Sequence, residues 1–461
     1  MEQVVIRECP NYIMEETNQD AVRLPREIYV KRLKKLQERI KAKGLDFAVL
    51  YGDREHFANI EYFSRYDCRF EEALFIVEAD KKVAIVVGNE GEAYCRCIPY
   101  EVEVIRYKNF SLQGQPRDHS PLLEDVFAKA GIAHGTKVGL AGYKYFENPN
   151  WFDVPEYITA VLRQVVGEEN LVNFTKELTG LPDGLRMTIE SVEEIALIDA
   201  QASKVANVMR RMLKALRPGI SELELSQAGK IDFAPQQTYS MVNFGTKSVA
   251  MGIKSPSPFV HLEIGGPMSM AFSQRGSLMC RAGFAAKNLD TIWPELRPML
   301  ESHLMVYWYA VARWYEEMKV GCRCADVYDT VAEQIGKPEF GFELNPGHYI
   351  GGDEWVNSEF RHDTRVRVHS GSHIQCDIIA ASANPILSAI CEDTVIVADS
   401  GLRLELYTAY PQLYRKICER QQMMREILGI RIHEDVLPMG GMNAVMFPFM
   451  LNTEQIFALK R

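Results

Sequence analysis

Basic charge is in short supply here: 52 Lys and Arg face 62 Asp and Glu, a net charge of -10 over 461 residues. A nucleic-acid partner wants a basic face, so that class of partner is not expected. Apolar runs of membrane-spanning length are also missing, so no membrane partner is expected. Met1-Glu2-Gln3 leads into a mixed polar segment without the apolar stretch of a secretion signal. The ten cysteines contain no CxxC pair. Cys95/Cys97 and Cys322/Cys324 are CxC pairs with no histidine cluster beside them, which leaves a zinc site without support. Reduced, mostly buried thiols are expected, as in a cytoplasmic protein. Internal repeats and low-complexity segments are absent as well. A cytoplasmic enzyme or binding protein remains.

What is present suits a globular chain of two to three domains, with 47% hydrophobic and 25% charged residues. Residues 1–25 are polar and irregular. Tyr29, Leu33, Leu36 and Ile40 recur at helical spacing over 26–43, and Gly44 is a stop signal. Phe47–Leu50, Ala73–Val77, Val83–Val87 and Lys137–Ala141 are apolar runs of strand length, and 121–129 looks helical. Such alternation predicts an α/β domain. Gly180, Pro182 and Gly184 punctuate a connection. Ser191 and Glu194 then form the S-x-x-E pattern that opens a long helix, ended by Pro218-Gly219. Strand-like segments follow at 240–285 and 365–400. Helices are predicted over 298–318, 325–335 and 411–428, before a tail carrying Met439, Met442, Met446 and Met450.

The stretch with most chemistry is Asn345-Pro346-Gly347-His348-Tyr349-Ile350-Gly351-Gly352-Asp353-Glu354-Trp355. A histidine flanked by glycines reads as a loop residue exposed enough to work. Glu392, in Cys391-Glu392-Asp393-Thr394, stands at a strand entrance. Cys280 reads as a buried thiol, and Tyr307-Trp308-Tyr309 with Trp314-Tyr315 as a packing cluster.

Three segments carry a resemblance to the creatinase/prolidase/methionine-aminopeptidase family, the pita-bread fold. Gly347–Asp353 resembles its G-H-G-I-G-L-D loop. Ile390-Cys391-Glu392-Asp393-Thr394-Val395 resembles its I-E-D-T-V strand. Arg217-Pro218-Gly219-Ile220-Ser221-Glu222 is similar to the turn after the first helix of its catalytic domain. The resemblance implies an α+β chain: a creatinase-type α/β domain over 1–178, a pita-bread catalytic domain over 179–405, and a helical extension and tail over 406–461. It also implies a homodimer, because two-domain relatives complete each site with the partner's N-terminal domain.

The metallopeptidases of this family hold two divalent ions with two Asp, one His and two Glu. Their His position falls on His348, and the Glu positions fall on Asp377 and Glu392. The first Asp position falls on Arg281 or Ala282, and the second near Asn288. A guanidinium repels a cation and offers no lone pair. A normal two-metal centre is therefore not expected, and no metal ligand or cofactor is assigned.

Creatinase is a metal-free member, and the N-terminal half resembles it through Gly44–Val49 and Asn59–Ser64. By that likeness the catalytic histidine falls on His261 and its acidic partner on Asp290. The other carboxylate falls on Asp377 and the substrate-gripping arginine on Arg361. Phe70 matches a phenylalanine two residues before an anion-binding arginine, and here Glu71 and Glu72 follow it. Acids at that place favour a cationic substrate group. The implied catalytic set is His261, Asp290, His348, Asp377 and Glu392, with Phe70, Glu72 and Arg361 binding a small-molecule substrate. The implied function is metal-independent hydrolysis of a C–N bond in a small amide, amidine or guanidino compound. A metal-dependent Xaa-Pro dipeptidase or aminopeptidase, and a non-catalytic protein of the same fold, are the alternatives.

Overall fold

The computed structural model describes residues 3–9, 15–16, 22–232 and 234–461. The chain forms two compact units, Leu24–Met187 and Thr188–Arg461, the second taking in also the described part of Met1–Arg23.

The first unit is an α/β domain. Its helix Arg26–Ala42 buries Tyr29, Arg32, Leu36 and Ile40, one stripe at the predicted spacing. The chain then turns at Gly44, whose φ of 67° is a conformation that glycine adopts without strain. A six-stranded sheet follows, in the order Glu103–Arg106, Val83–Val87, Ala73–Glu78, Phe47–Gly52, Val138–Ala141 and Leu171–Asn173. Phe47–Gly52 is antiparallel to Ala73–Glu78 and parallel to Val138–Ala141. Every residue of Phe47–Gly52 is buried, as expected of a central strand covered on both faces. Apolar clusters lie on its two sides, one around Leu50 and Phe75 and the other around Val49 and Ile76.

The second unit opens with the helix Val192–Ala215, whose N-terminus is capped by Ser191 accepting a hydrogen bond from the Glu194 amide at 3.4 Å. Its main sheet runs His348–Tyr349, Ser372–Cys376, Ile386–Val397, Ser277–Phe284, Pro267–Gln274, Met241–Phe244. Ile379–Ala383 and Val436–Pro438 also pair with Ile386–Val397. This long strand is the spine of the unit, and nearly all of it is buried.

Several expectations change. Residues 4–8, read as irregular, form a strand antiparallel to Gln455–Leu459. The two chain ends therefore belong to one unit, and the tail is part of its core. Met439, Met442, Met446 and Met450 are all buried. Residues 406–461 accordingly do not stand as a separate extension, and the boundary between units falls at 187/188 instead of 178/179. The helix over 298–318 divides into a wide turn, Leu300–Met305, and an α-helix, Val306–Glu317. Residues 411–428 are preceded by another helix, Ser400–Ala409. No helix among the described residues is long and apolar enough to cross a membrane.

Candidate functional site

Side-chain alternation along the spine decides which residues share a face. Successive residues of a strand point to opposite sides of the sheet, so Glu392 and Asp393 part company. Cys280 lies directly opposite Glu392, and Arg281 opposite Cys391. One face of these two strands therefore carries Glu392 and Cys280, and the other carries Asp393 and Arg281.

Arg281 is fully buried and spends its whole guanidinium on that second face. Nη2 donates to Asp393 Oδ1 and the Met442 carbonyl, both at 2.7 Å. Nε donates to the Val445 carbonyl at 2.6 Å. Nη1 donates to the Cys280 carbonyl at 2.7 Å and the Glu392 carbonyl at 2.9 Å. The expectation that this guanidinium stands in a metal-ligand position is corrected. It braces the tail against the spine, and its charge is balanced by Asp393.

The Glu392 face carries the candidate site. His348 sits in a two-residue strand antiparallel to Ser372–Cys376, with Gln375 as its register partner. Gly347 precedes it with φ 119°, and a Cβ there would come within 2.8 Å of the Gln375 carbonyl, so only glycine lets the strand begin. Trp314 Nε1 donates to the Pro346 carbonyl at 2.7 Å, and Ser358 Oγ to that of Gly347 at 2.7 Å. His348 was expected on an exposed loop, but it is fully buried. Trp355 stacks on its ring, 4.2 Å between centroids and 16° between planes.

His348 Nε2 points at three carboxylates. Glu354 Oε1 lies 3.2 Å away, Glu392 Oε1 3.8 Å and Asp377 Oδ2 3.9 Å. Asp377 follows the strand Ser372–Cys376 and is buried. Neither His348 Nε2 nor Asp377 Oδ1 has a hydrogen-bond partner. Gln375 steadies Glu392: its Nε2 donates to Glu392 Oε1 at 3.0 Å and to the Leu278 carbonyl at 2.8 Å, while its Oε1 accepts from Thr394 Oγ1 at 2.5 Å. The loop bearing Glu354 is pinned by Gln237 Nε2, which donates to the carbonyls of Gly351 and Asp353 at 2.8 and 3.0 Å.

Electrostatics follow from this crowding. Burial lowers the His348 pKa, but Glu354, Glu392 and Asp377 outweigh it and hold the imidazole well above its usual range. Burial raises Glu392, and Asp377 beside it adds to the rise. Burial also raises Asp377, against the pull of His348. Burial, with Glu392 and Asp377 nearby, pushes the Cys280 thiol up, so it is no ready nucleophile.

The expected site residues thus divide. His348, Asp377 and Glu392 come together. His261 is exposed and makes an isolated β-bridge to Ser221. Asp290 is exposed in the turn Leu289–Thr291, where its carbonyl accepts from Arg297 at 2.7 Å. Arg361 is exposed and paired with Glu359 and Asp363 at 3.1 and 2.7 Å. None of these three touches the cluster in any contact among the described residues. In the first unit Phe70 is exposed and Glu72 half-buried. Glu71, which was expected to help receive a cationic group, is buried and accepts the amides of Glu90 and Gly91 at 3.1 and 3.0 Å. Its carboxylate is spent on backbone. Glu354 was not singled out from the sequence. The signal available was an acid followed by an aromatic residue, Glu354-Trp355, one residue past the Gly351-Gly352 turn in the histidine segment.

Residues 32–188 match the Creatinase/Prolidase N-terminal domain family. The chain has the creatinase/prolidase fold. Among solved structures it is similar to a prolidase from Thermococcus sibiricus, with TM-score 0.63 and 16% identity over 80% of this chain and 95% of that one. An Xaa-Pro dipeptidase from Bacillus anthracis aligns with TM-score 0.61 and 14% identity, over 81% of this chain and 96% of that one. An X-Pro aminopeptidase from Thermotoga maritima MSB8 aligns with TM-score 0.61 and 14% identity, over 80% and 95%. No curated protein matches the chain in sequence.

The two-cation centre of the metallopeptidases does not fit these residues. Neither aspartate is replaced by another donor: Arg281 is turned to the far face, Ala282 has none to offer, and Asn288 caps an exposed turn by accepting the Thr291 amide at 3.1 Å.

Proposed function

We propose that the protein hydrolyses a C–N bond in a small amide, amidine or guanidino compound at the cluster of His348, Glu354, Asp377 and Glu392. The observation that carries this reading is the convergence of one buried imidazole nitrogen on three carboxylates within 3.9 Å. General acid–base catalysis needs groups that can exchange a proton near working pH. Burial moves Asp377 and Glu392 upward in that direction. In the proposed reaction Asp377 takes a proton from the attacking water, and its partnerless Oδ1 is the oxygen available for it. His348, held charged by Glu354, donates a hydrogen bond to the charge developing on the substrate. Glu392, kept in place by Gln375 and disposed by burial to hold a proton, gives that proton to the leaving nitrogen, and the proton taken up by Asp377 restores it at the end of the cycle. Three carboxylates around one imidazole leave the pocket acidic, which favours a substrate with a positive group.

A second reading, an Xaa-Pro dipeptidase, is supported by the named peptidases that share the fold. A panel of guanidino compounds, amidines, small amides and Xaa-Pro dipeptides, assayed for released amine or ammonia, separates the two. We expect turnover of a cationic member of the first three groups, and a loss of roughly 10²-fold or more in Asp377→Asn. Turnover of the dipeptides alone would reverse the order, and no turnover of any compound would sink both.

A further inference from the structure

We infer that Gln237 is a substrate-binding residue of the proposed site: its side-chain oxygen accepts an N–H hydrogen bond from a guanidinium or amidinium head group. This contact rests on the hydrolytic reading above. It narrows the substrate from amides, amidines and guanidino compounds to the two classes that join positive charge with N–H.

The carboxamide of Gln237 is oriented by what it already holds. Nε2 donates to the Gly351 carbonyl at 2.8 Å and to the Asp353 carbonyl at 3.0 Å. Both partners can only accept, so the amino end faces them and both of its hydrogens are used. Oε1 therefore looks away from the loop carbonyls. It is buried and has no hydrogen-bond partner. Buried acceptors are nearly always paired, so the donor for this oxygen comes from outside the chain.

Its position borders the acidic cluster. The Asp353 carbonyl that Gln237 holds is one residue before Glu354, whose Oε1 is 3.2 Å from His348 Nε2. The backbone carrying Gln237 is fixed over the same side of the sheet. The Thr238 amide and hydroxyl lie 3.0 and 3.2 Å from Ser273 Oγ, and Ser273 is the register partner of Leu278. Leu278 and Cys280 share a face by strand alternation, and Cys280 lies opposite Glu392. The segment of Gln237 thus sits on the Glu392 side.

Charge and hydrogen bonding together divide the candidate head groups. Glu354, Asp377 and Glu392 attract a cation. The Gln237 oxygen requires N–H. A quaternary ammonium meets only the first condition and an uncharged amide only the second. A guanidinium or amidinium meets both. A site that binds a ligand N–H rejects a ligand without one, because its own buried group is then left unpaired.

Calorimetric titration of the full-length protein with methylguanidinium and with tetramethylammonium tests this. The two ions have the same charge and the same count of non-hydrogen atoms, and only the first carries N–H. The parent protein is expected to bind methylguanidinium at least ~10-fold more tightly, and this preference should fall by about tenfold in Gln237→Met. Loss of the loop contact alone would weaken both ions alike and leave their ratio unchanged. Gln237→Lys keeps a donor for the loop carbonyls and lacks the acceptor. Its charge weakens both ions, but the ratio should fall as in Gln237→Met, which keeps the test valid if methionine disturbs folding. No binding of methylguanidinium, no preference in the parent, or an unchanged preference in either folded variant would overturn the inference. The last result would mean that water alone meets the oxygen. A preference that depends on Gln237, in a protein that turns over no guanidino compound or amidine, would sink the hydrolytic reading and leave Gln237 as a cation-binding residue. Turnover with an unchanged preference would sink the Gln237 contact alone.

Discussion

Replacing Arg281 by Met tests whether the guanidinium belongs to the site or to the core. The structure gives it five hydrogen bonds, four to backbone carbonyls and one to Asp393, and no exposure. Methionine fills much of the volume and removes every donor. A buried charge stripped of its partner costs about 3–5 kcal/mol. Each orphaned carbonyl costs about 1–3 kcal/mol. The low ends of those ranges already come to about 7 kcal/mol, against a total stability of about 5–15 kcal/mol for a typical domain. Arg281→Met is therefore expected to fold poorly or not at all. Arg281→Lys keeps the charge but has three donors for five acceptors, and is expected to fold with a loss of about 2–6 kcal/mol. Combining Arg281→Met with Asp393→Asn removes the stranded charge, so the pair should cost less than the sum of the two single changes. Urea unfolding followed by circular dichroism reads all four proteins. An Arg281→Met protein within about 1 kcal/mol of the parent would refute the reasoning, because a change that small is what surface positions show.

Gln375→Met removes the donor to Glu392 and to the Leu278 carbonyl, and the acceptor of the Thr394 hydroxyl, which keeps its contact with Ser277 Oγ at 2.9 Å. A stability loss of about 2–4 kcal/mol by thermal melting is expected, with a fall in turnover exceeding that of an exposed control. His261→Gln and Asp290→Asn should keep most of the turnover that Asp377→Asn loses, since neither residue meets the cluster. A loss equal to that of Asp377→Asn would restore them to the catalytic set. In the N-terminal domain, burial raises Asp53, but hydrogen bonds from the side chain and amide of His56 outweigh it and hold its carboxyl down at about 2. The hydrogen bond to Asp53 raises His56 in turn, against burial. A depressed acid stabilises above its unfolded value and loses this as pH falls toward about 2. A raised histidine stabilises below ~6.5 and loses this as pH climbs through its folded value. The pair should therefore help most between about pH 4 and 6.5. Both side chains are partly exposed, so Asp53→Asn should cost at most ~1 kcal/mol there and less at pH 8. A difference that does not vary with pH in thermal melts would contradict this. Light scattering is expected to give a homodimer, and a monomer would remove any role for Phe70 and Glu72 in a partner's site.

Periodic segments were legible in the sequence because burial imprints a spacing on them. Arg26–Ala42, Phe47–Gly52 and Cys324–Ile335 fall close to where their apolar residues predict. Strand identity was legible too, but strand face was not. A gapped resemblance that leaves the register open by one residue cannot say whether Arg281 looks into the site or away from it, and a one-residue slip exchanges the two faces. Only pairing with the spine resolves this, by setting Cys280 opposite Glu392. Glu354 was hidden for another reason. It follows a glycine turn, where no period reports side-chain direction, and its place beside His348 depends on Gln237, far away in sequence, holding the loop backbone. The strand at Val4–Glu8 shows the same limit. Its partner is Gln455–Leu459 at the other end of the chain, and a short edge strand with a half-buried pattern has no local signal strong enough to announce it. The residues hardest to read were thus those whose position is set by non-local hydrogen bonds. His348 was found from its motif, yet its burial and its acidic company come from three separate segments meeting on one strand. Reasoning from motifs finds such a residue, but the chemistry open to it is decided by which neighbours the sheet register delivers.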